Sequence, residues 1–279
     1  MIATPPPPAS GNRIDTTPRE LLVKLRSLPP FNSVAVKLLG LTADAEVNLR
    51  RIEESVNADP SLAGQLLVVA NSPFFGLSSQ IATVKHALAI VGLELFRQMV
   101  ATAATSSYMR TLPADWVKPI WAHAVATAVI AEQLAQRSKN ASGGLLYTAG
   151  LMHDLGRLGM LASEREAYHQ FLCGEYPDMQ ESERLEREQF GMTHTGAGSF
   201  LMRTWGFPEL LCSHAKSHHE HSEQGDRIIG NACLLADCMG YPELTLQTGS
   251  QPENEGRQNE CLKGVCRELV EKKIQEALQ

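Results

Sequence analysis

Residues 151–157 read Leu-Met-His-Asp-Leu-Gly-Arg, and they place an imidazole, a carboxylate and a guanidinium directly after an apolar helical segment. The composition would bury this stretch, and burying a carboxylate costs on the order of several kcal/mol unless it is paired or bound to a metal. Two interpretations of His153-Asp154 stay open on this stretch alone: one side of a metal site, or a helix end at which Asp154 pairs with Arg157.

Around this stretch, apolar residues recur at three- and four-residue spacing along most of the chain, and strand-like alternation is nearly absent. The first helix is marked by Thr17-Pro18-Arg19-Glu20, which supplies an N-cap residue, a proline at the first helical position and a glutamate at the third. We therefore expect an all-α fold. Beyond the first helix, the pattern predicts helices over residues 34–41, 49–56, 62–70, 83–91, 93–108, 116–136, 145–161, 164–174, 181–190, 193–205, 208–219, 226–239 and 261–278.

The chain divides into one helical body with flanking segments. Residues 1–14 are rich in proline and are expected to form a disordered lead. The body is expected over residues 15–240, with an N-terminal helical lobe at about 15–107 and a helical core at about 112–240. Residues 241–260 are polar and predict a loop, and residues 261–279 predict a C-terminal helix packed back onto the body.

Composition and charge exclude several classes of protein. The 279 residues include 25 basic and 31 acidic side chains, a formal charge of −6, and no clustered basic run, so DNA is not an expected partner. No apolar run reaches the roughly 18 residues of a membrane span and no signal peptide opens the chain, so we expect a cytoplasmic protein without a membrane partner. The six cysteines lack CxxC spacing and are expected to be reduced and structural.

Histidine is the main chemical signal in this sequence. Four of the nine histidines fall between His214 and His221, and others stand on separate predicted helices. Imidazoles and carboxylates that converge from several helices suit a divalent cation, and the two oxygens of Asp154 could bridge two such cations. The candidate metal ligands are His123, His153, Asp154, His194, His218 or His219, and Asp237.

The order His, His-Asp, His, His-His, Asp resembles the HD superfamily of metal-dependent phosphohydrolases, especially the HD-GYP cyclic dinucleotide phosphodiesterases. The N-terminal half closely resembles the HDOD family, the HD-related output domains of bacterial signalling. The stretches that carry this resemblance are LPPF at 28–31, VNADPSL at 56–62, VANSPFFG at 69–76, IATVKHAL at 81–88 and VGL at 91–93. The similarity runs from about Leu22 to Met239.

The resemblance implies an HD-domain-like helical bundle with an N-terminal lobe and an intact HD-type metal site. It assigns His218 and His219 both as ligands, and it implies one or two transition-metal ions, iron or manganese. The chain departs from HD-GYP enzymes after Glu220, where the Asp-Gly-x-Gly-Tyr-Pro run is missing, so recognition of cyclic di-GMP is not implied. Pro119 stands where some relatives carry a glutamate ligand, which limits the expectation to two metals.

These features favour three interpretations of function. The first is a bacterial signal-transduction HDOD module that binds metal and acts mainly through contacts with a signalling protein or a nucleotide ligand. The second is a dinuclear-metal phosphodiesterase or phosphohydrolase acting on a nucleotide or cyclic dinucleotide, with Asp154 and Arg157 as its catalytic residues; Arg157 would stabilise charge on the phosphoryl oxygens. The third is an unrelated helical scaffold. Whether the chain is an enzyme stays open at this stage.

The segment Pro73-Phe74-Phe75-Gly76 carries a separate expectation. Two adjacent phenylalanines in an apolar neighbourhood are more often core residues than contact residues. We therefore expect both aromatic rings to pack internally and to stabilise the N-terminal lobe.

Overall fold

The computed structural model describes residues 17–43, 47–138, 142–220, 224–246 and 265–278. Within these ranges the chain is built almost entirely of α-helices, which confirms the predicted all-α fold. The predicted disordered lead at 1–14 and most of the predicted polar loop, residues 247–260, lie outside the described residues.

The N-terminal part is a group of short helices whose starts follow the capping signals in the sequence. The Thr17 hydroxyl accepts the backbone N–H of Glu20, and Asp59 accepts the backbone N–H groups that follow Pro60. These helices are α1 (Pro18–Arg26), α2 (Ser33–Ala43), α3 (Leu49–Asn57), α4 (Pro60–Ala70), α5 (Val84–Val91) and α6 (Leu93–Met109), with a 3₁₀ turn at Pro73–Phe75.

The second part is arranged around one long helix, α7 (Ala114–Ala135), which packs against several of the helices that follow it. Its alanines at positions 124, 126 and 128 are at most 2% exposed, and these small side chains let neighbouring helices approach closely. The following elements are α8 (Gly143–Met152), α9 (Leu155–Leu172), β1 (Glu175–Tyr176), α10 (Met179–Phe190), α11 (His194–Thr204), α12 (Glu209–Ser217), α13 (Gln224–Cys238), β2 (Thr245–Leu246) and α14 (Arg267–Leu278).

The structure interrupts the helix that the pattern predicts over residues 145–161. Helix α8 ends at Met152 and α9 begins at Leu155, with Asp154 at φ −97° and ψ 19° between them. The prediction of one continuous helix is therefore wrong at this point. A second departure is that α9 continues past the predicted end at residue 161. It bends at Arg165, where φ is +38°.

The C-terminal segment is held against the body at two places. Strand β2 pairs in parallel with β1, with Glu175 opposite Thr245. Helix α14 packs on α7, where the Trp121 indole N–H donates to the Ala277 carbonyl at 2.8 Å and Ile274 is fully buried. These contacts bring the segment after α13 next to the centre of the helical core.

An aromatic cluster joins the N-terminal helices to the second part of the chain. The ring of Phe31, in the connection between α1 and α2, lies 5.8 Å from Trp205, 5.2 Å from Phe207 and 5.8 Å from Tyr108, measured between centroids. Aromatic contacts at these distances add to the energy of burial. The two parts therefore share one hydrophobic core rather than touching at a polar surface.

The expectation that both rings of the Phe74-Phe75 pair are core residues is wrong for Phe74. Its side chain is 84% exposed, while Phe75 is half-buried. The 3₁₀ turn explains the difference, because Gly76 closes it at φ +58° and the two adjacent side chains point in different directions.

No single helix among those that the structure describes is long and apolar enough to cross a bilayer. Helices α5 and α6 satisfy length and composition only as a pair, and the chain bends by 106° between them.

Candidate metal centre

The seven predicted ligands, His123, His153, Asp154, His194, His218, His219 and Asp237, lie in one cluster. They come from separate elements: the middle of α7, the break between α8 and α9, the first residue of α11, the end of α12 and the end of α13. Asp154 lies at its centre, with His153 Nε2 3.5 Å from one carboxylate oxygen and the Nε2 atoms of His194 and His218 each 3.7 Å from the other.

Two glycines allow the backbones that carry these ligands to meet. A Cβ atom at Gly150 would lie 2.9 Å from Cα of Ala128, so α8 can cross α7 at this point only without a side chain. A Cβ atom at Gly156 would lie 1.9 Å from the carbonyl oxygen of His194, which is closer than any real contact. Gly156 thus lets the start of α9, with Asp154, approach the start of α11, with His194.

Three imidazoles of the cluster have their Nδ1 atoms occupied by backbone carbonyls. His123 Nδ1 lies 2.8 Å from the oxygen of Tyr241, His153 Nδ1 2.6 Å from that of Gly150, and His218 Nδ1 3.0 Å from that of Ala215. Because a carbonyl oxygen only accepts, each Nδ1 carries the proton and each Nε2 keeps its lone pair. This tautomer is the one found in histidines that bind metal through Nε2.

A carboxylate holds His194 in the same tautomer, with the proton on Nδ1. Its Nδ1 donates to an oxygen of Glu186 at 2.8 Å, and its backbone N–H donates to the same oxygen at 2.7 Å. Glu186 is 1% exposed and also accepts from the Tyr168 hydroxyl at 2.5 Å. The Nε2 of His194 therefore holds a lone pair that faces Nε2 of His219 at 3.1 Å.

Three buried polar atoms at the centre of the cluster have no hydrogen-bond partner among the described residues. They are Nε2 of His153, Nε2 of His218 and Oδ1 of Asp154. A buried polar group without a partner costs about 1–3 kcal/mol, and a charged one costs more. These ligand atoms lie within 4.8 Å of one another, so one divalent cation could contact all three.

Burial keeps the central imidazoles neutral. It lowers the pKa of His153 to about 4 and holds that of His218 well below the ordinary histidine value. For His219, burial alone would lower the pKa, but the Glu243 carboxylate beside it raises the pKa above the usual value. Burial also raises the pKa of Asp237 to about 6. Neutral imidazoles are the form that binds a metal.

Arg157 is buried beside the cluster, and its guanidinium group faces three carboxylates. Its side chain is 1% exposed, and its Nε donates to Asp154 at 3.2 Å and to Glu243 at 3.1 Å. One of its terminal nitrogens also pairs with Glu243, and the other lies 3.4 Å from the Tyr168 hydroxyl and 3.8 Å from Glu186. The helix-end pairing of Asp154 with Arg157 and the ligand cluster around Asp154 thus occur together.

Two carboxylates of this site were not predicted from the sequence. Glu186 stands on a polar helix eight residues before His194, and Glu243 stands in the stretch predicted as a loop. Neither lies in an apolar run that would mark a buried charge, yet both side chains are at most 2% exposed. The one available signal for Glu243 was its position six residues after Asp237. The chain turns back at Gly240, so the Glu243 N–H donates to Asp237 at 2.9 Å.

The buried charges of the centre do not balance within the described residues. Three carboxylates, on Asp154, Glu186 and Glu243, face the single guanidinium of Arg157. Two negative charges remain, and the cluster must take up protons or a cation to offset them. The residues present therefore fit a divalent metal in both donor type and charge.

One cysteine lies next to the centre. The Cys233 thiol is 4% exposed, and its sulfur lies within 4.8 Å of a ring nitrogen of His123 and one of His153. Burial raises its pKa well above the ordinary value. In this protonated form it behaves as a small apolar side chain, which agrees with the structural role expected for cysteines.

A cavity of about 470 Å³ opens beside the cluster. The predicted ligands His218, His219 and Asp237 line it. Its lining also includes two basic residues, Arg187 and Lys216, and two acidic residues, Glu183 and Glu220. The cavity gives a small molecule a route to the cluster.

Three known proteins are similar to this chain, one in sequence and two in structure. The chain is 22% identical over 202 residues to an uncharacterised protein of Treponema pallidum (strain Nichols), covering 70% of this chain but only 38% of that protein's length. A candidate signal-transduction protein of Marinobacter aquaeolei VT8 superposes with a TM-score of 0.60 at 22% identity, over 91% of this chain and 57% of the other. A candidate phosphohydrolase of Shewanella amazonensis SB2B gives a TM-score of 0.62 at 18% identity, over 92% of this chain and 93% of the other.

The assignment of this chain to a family rests on its sequence. A family model of the HDOD domain matches residues 28–221, which is more than half of the chain. The match begins after α1, spans α2 to α12, and includes six of the seven predicted ligands, from His123 to His219. The chain belongs to the HDOD domain family.

Proposed function

We propose that this protein is an HDOD module of bacterial signal transduction that holds one or two divalent transition-metal ions in the cluster around Asp154. The observation that carries the proposal is that the unpartnered Nε2 atoms of His153 and His218 lie 3.5 and 3.7 Å from the two oxygens of the Asp154 carboxylate, whose Oδ1 is also unpartnered among the described residues. In a site that had lost its metal, these atoms would be expected to find other partners, because unpaired buried polar groups destabilise a fold.

The ligands divide between two positions that share Asp154. His123, His153 and Asp237 lie on one side of this carboxylate, and His194, His218 and His219 lie on the other. Nitrogen and oxygen donors without thiolate suit iron or manganese. Glu186 positions His194 for this role, since a carboxylate on Nδ1 fixes the ring and makes its Nε2 a better ligand.

The signalling role follows from where the ligands stand. Apart from His123 in the middle of α7, they lie at the ends or breaks of α8, α9, α11, α12 and α13, so the occupancy of the site would control how these helices are held together. A signalling partner or a nucleotide ligand would then recognise the metal-loaded arrangement. The HDOD family supports this reading, as does the fold shared with a candidate signal-transduction protein. We take residues 15–240 as the HDOD domain, with the C-terminal helix as an added element on α7.

The cavity favours hydrolysis of a phosphoester as a second candidate function. A metal at this site would act as a Lewis acid and would lower the pKa of a bound water. Arg187 and Lys216 line this cavity together with His218 and His219 and could contact an anionic substrate, while Glu183 and Glu220 in the same lining partly offset their charge. Arg157 would act by holding Asp154 and Glu243 in place, because its donors already face carboxylates.

The first experiment is elemental analysis of protein purified without added metal. We expect one or two equivalents of iron or manganese per chain. Metal-free protein that also fails to take up these ions from solution would overturn the proposal.

The same metal-loaded sample should then be tested for hydrolysis of bis(p-nitrophenyl) phosphate and of nucleotides. Turnover that depends on the metal would establish the second candidate, and metal without turnover would leave the signalling module.

A further inference from the structure

The segment that follows α13 carries a carboxylate into the middle of the histidine cluster. The Glu243 side chain is 2% exposed. The described part of the chain stops at residue 246 and resumes at residue 265. The segment is anchored on both sides of this residue. The Tyr241 carbonyl accepts from His123 at 2.8 Å, the Leu244 side chain is 5% exposed, and β2 pairs with β1.

The carboxylate lies where a metal ligand would be needed. Its Oε1 is 3.6 Å from Nε2 of His194 and 3.6 Å from Nε2 of His219. One ligand atom each from Glu243, His194, His218 and His219 lie within 4.8 Å of one another. Two donors that each lie about 2.0–2.2 Å from one ion are at most about 4.4 Å apart, and the distances of 3.1 and 3.6 Å within this group fall inside that limit.

The imidazoles of His194 and His219 face each other in this group in a way that suits a shared cation. His194 donates through Nδ1 to Glu186, so its Nε2 can only accept. The Nε2 of His219 faces it at 3.1 Å, and a carboxylate stands beside both rings. A divalent ion would take both lone pairs and the carboxylate together.

We propose that Glu243 is a metal ligand, completing a site of three imidazoles and one carboxylate with His194, His218 and His219. This inference rests on the proposed metal-binding function. Arg157 donates through two nitrogens to Oε1 of Glu243, so the ion would take a lone pair of the second oxygen, Oε2. Binding of the ion then fixes residues 240–246, because their one buried acidic side chain becomes part of the site.

The test compares Glu243→Gln with wild type and with Glu175→Gln. Glu175 is exposed on β1, next to the same segment, so it controls for the loss of one charge there. Each protein is loaded with Co(II), and its affinity, its ion-to-protein ratio and its visible absorption spectrum are measured. We expect Glu243→Gln to lose about tenfold or more in affinity and to change the spectrum, and Glu175→Gln to match wild type.

A second variant and a second readout separate loss of the ligand from loss of the fold. Glu243→Asp keeps the charge that faces Arg157 but shortens the reach, so it should remain folded and still bind Co(II) more weakly. Hydrogen exchange of residues 240–246 should slow on loading in wild type and not in either Glu243 variant.

The outcomes distinguish this inference from the proposed function. A wild-type protein that takes up no metal would overturn the proposed function. A wild type that binds Co(II), together with Glu243 variants of unchanged affinity and spectrum, would overturn only the assignment of Glu243. A folded Glu243→Asp that binds as wild type does would have the same consequence.

Discussion

Oδ1 of Asp154 lies 3.7 Å from Nε2 of His218, and neither atom has a hydrogen-bond partner in the described ranges. Each side chain is at most 3% exposed, so water from the surface does not readily satisfy them. The His218 Nδ1 is held by the Ala215 carbonyl, which directs the free lone pair toward the carboxylate. The pair is therefore arranged for a cation between imidazole and carboxylate.

We predict that Asp154→Ala removes most of the bound metal. The carboxylate faces imidazoles on both of its oxygens, and no neighbouring side chain can replace both. Metal content measured by elemental analysis should fall to a small fraction of the wild-type ratio, while Asp115→Ala, at an exposed position of α7, should keep it. Wild-type metal content in folded Asp154→Ala would contradict the central role of this residue.

We predict that Arg157→Met destabilises the fold by about 3–5 kcal/mol, because it leaves buried carboxylates without their cation. The matched control is Arg184→Met, whose side chain is 49% exposed and pairs with surface glutamates, so it should cost about 1 kcal/mol or less. The free energies of unfolding are compared in urea at neutral pH. If Arg157 served only to contact a phosphate, as the resemblance implies, its removal would leave stability unchanged.

We predict that His153 makes metal-free protein less stable as the pH falls from about 6.5 to about 4, against the opposite contribution of Asp237, whose pKa burial raises to about 6. Burial lowers the pKa of His153 to about 4, whereas an unfolded histidine titrates near about 6.5. Between these values the unfolded chain binds a proton that the folded chain does not, so acid favours unfolding. This one imidazole should contribute up to roughly 3 kcal/mol, and the lowered pKa of His218 acts in the same direction.

The pH prediction is checked by urea unfolding at a series of pH values after treatment with a chelator. His153→Gln should flatten the dependence, because glutamine does not titrate. His86→Gln, at an exposed position of α5, should keep the wild-type slope. Equal slopes for wild type and His153→Gln would show that this imidazole is not held neutral by the fold.

We predict that Phe74→Ala changes the free energy of unfolding by no more than about 0.5 kcal/mol, since the ring is 84% exposed. Phe96→Ala should cost about 3–5 kcal/mol, because the Phe96 side chain is fully buried in α6. Both are measured by the same denaturant titration. A large loss of stability in Phe74→Ala would restore the sequence-based expectation that this ring belongs to the core.

The helices could be predicted from the sequence because their signals are local. Thr17 and Asp59 cap the helices that follow them, and apolar spacing marks the buried faces. The break at His153-Asp154 could not be predicted, because both flanking segments favour helix. What sets the break is contact with other parts of the chain, such as the carbonyl of His194 against Gly156.

The candidate ligands could be predicted because histidine and a buried aspartate are rare enough to stand out. Glu186 and Glu243 could not, since an acidic residue in a polar stretch normally faces solvent. Their burial follows from distant partners: Glu186 from His194 and Tyr168, and Glu243 from Arg157. The exposure of Phe74 has a similar origin, because the 3₁₀ turn and not the composition decides which ring points inward.

The spacing of the ligands along the chain has a consequence for unfolding. His123 and Glu243 are 120 positions apart, and the other ligands are spread between them. The one or two ions proposed for this site would close a series of large loops, which a denatured chain can form only with a large loss of conformational entropy. For a disulfide, closing a single loop of about 100 residues is estimated to be worth roughly 4.7 kcal/mol. A chelator would therefore act on this domain much as a reducing agent acts on a cross-linked one, lowering the midpoint of cooperative unfolding for the whole helical core.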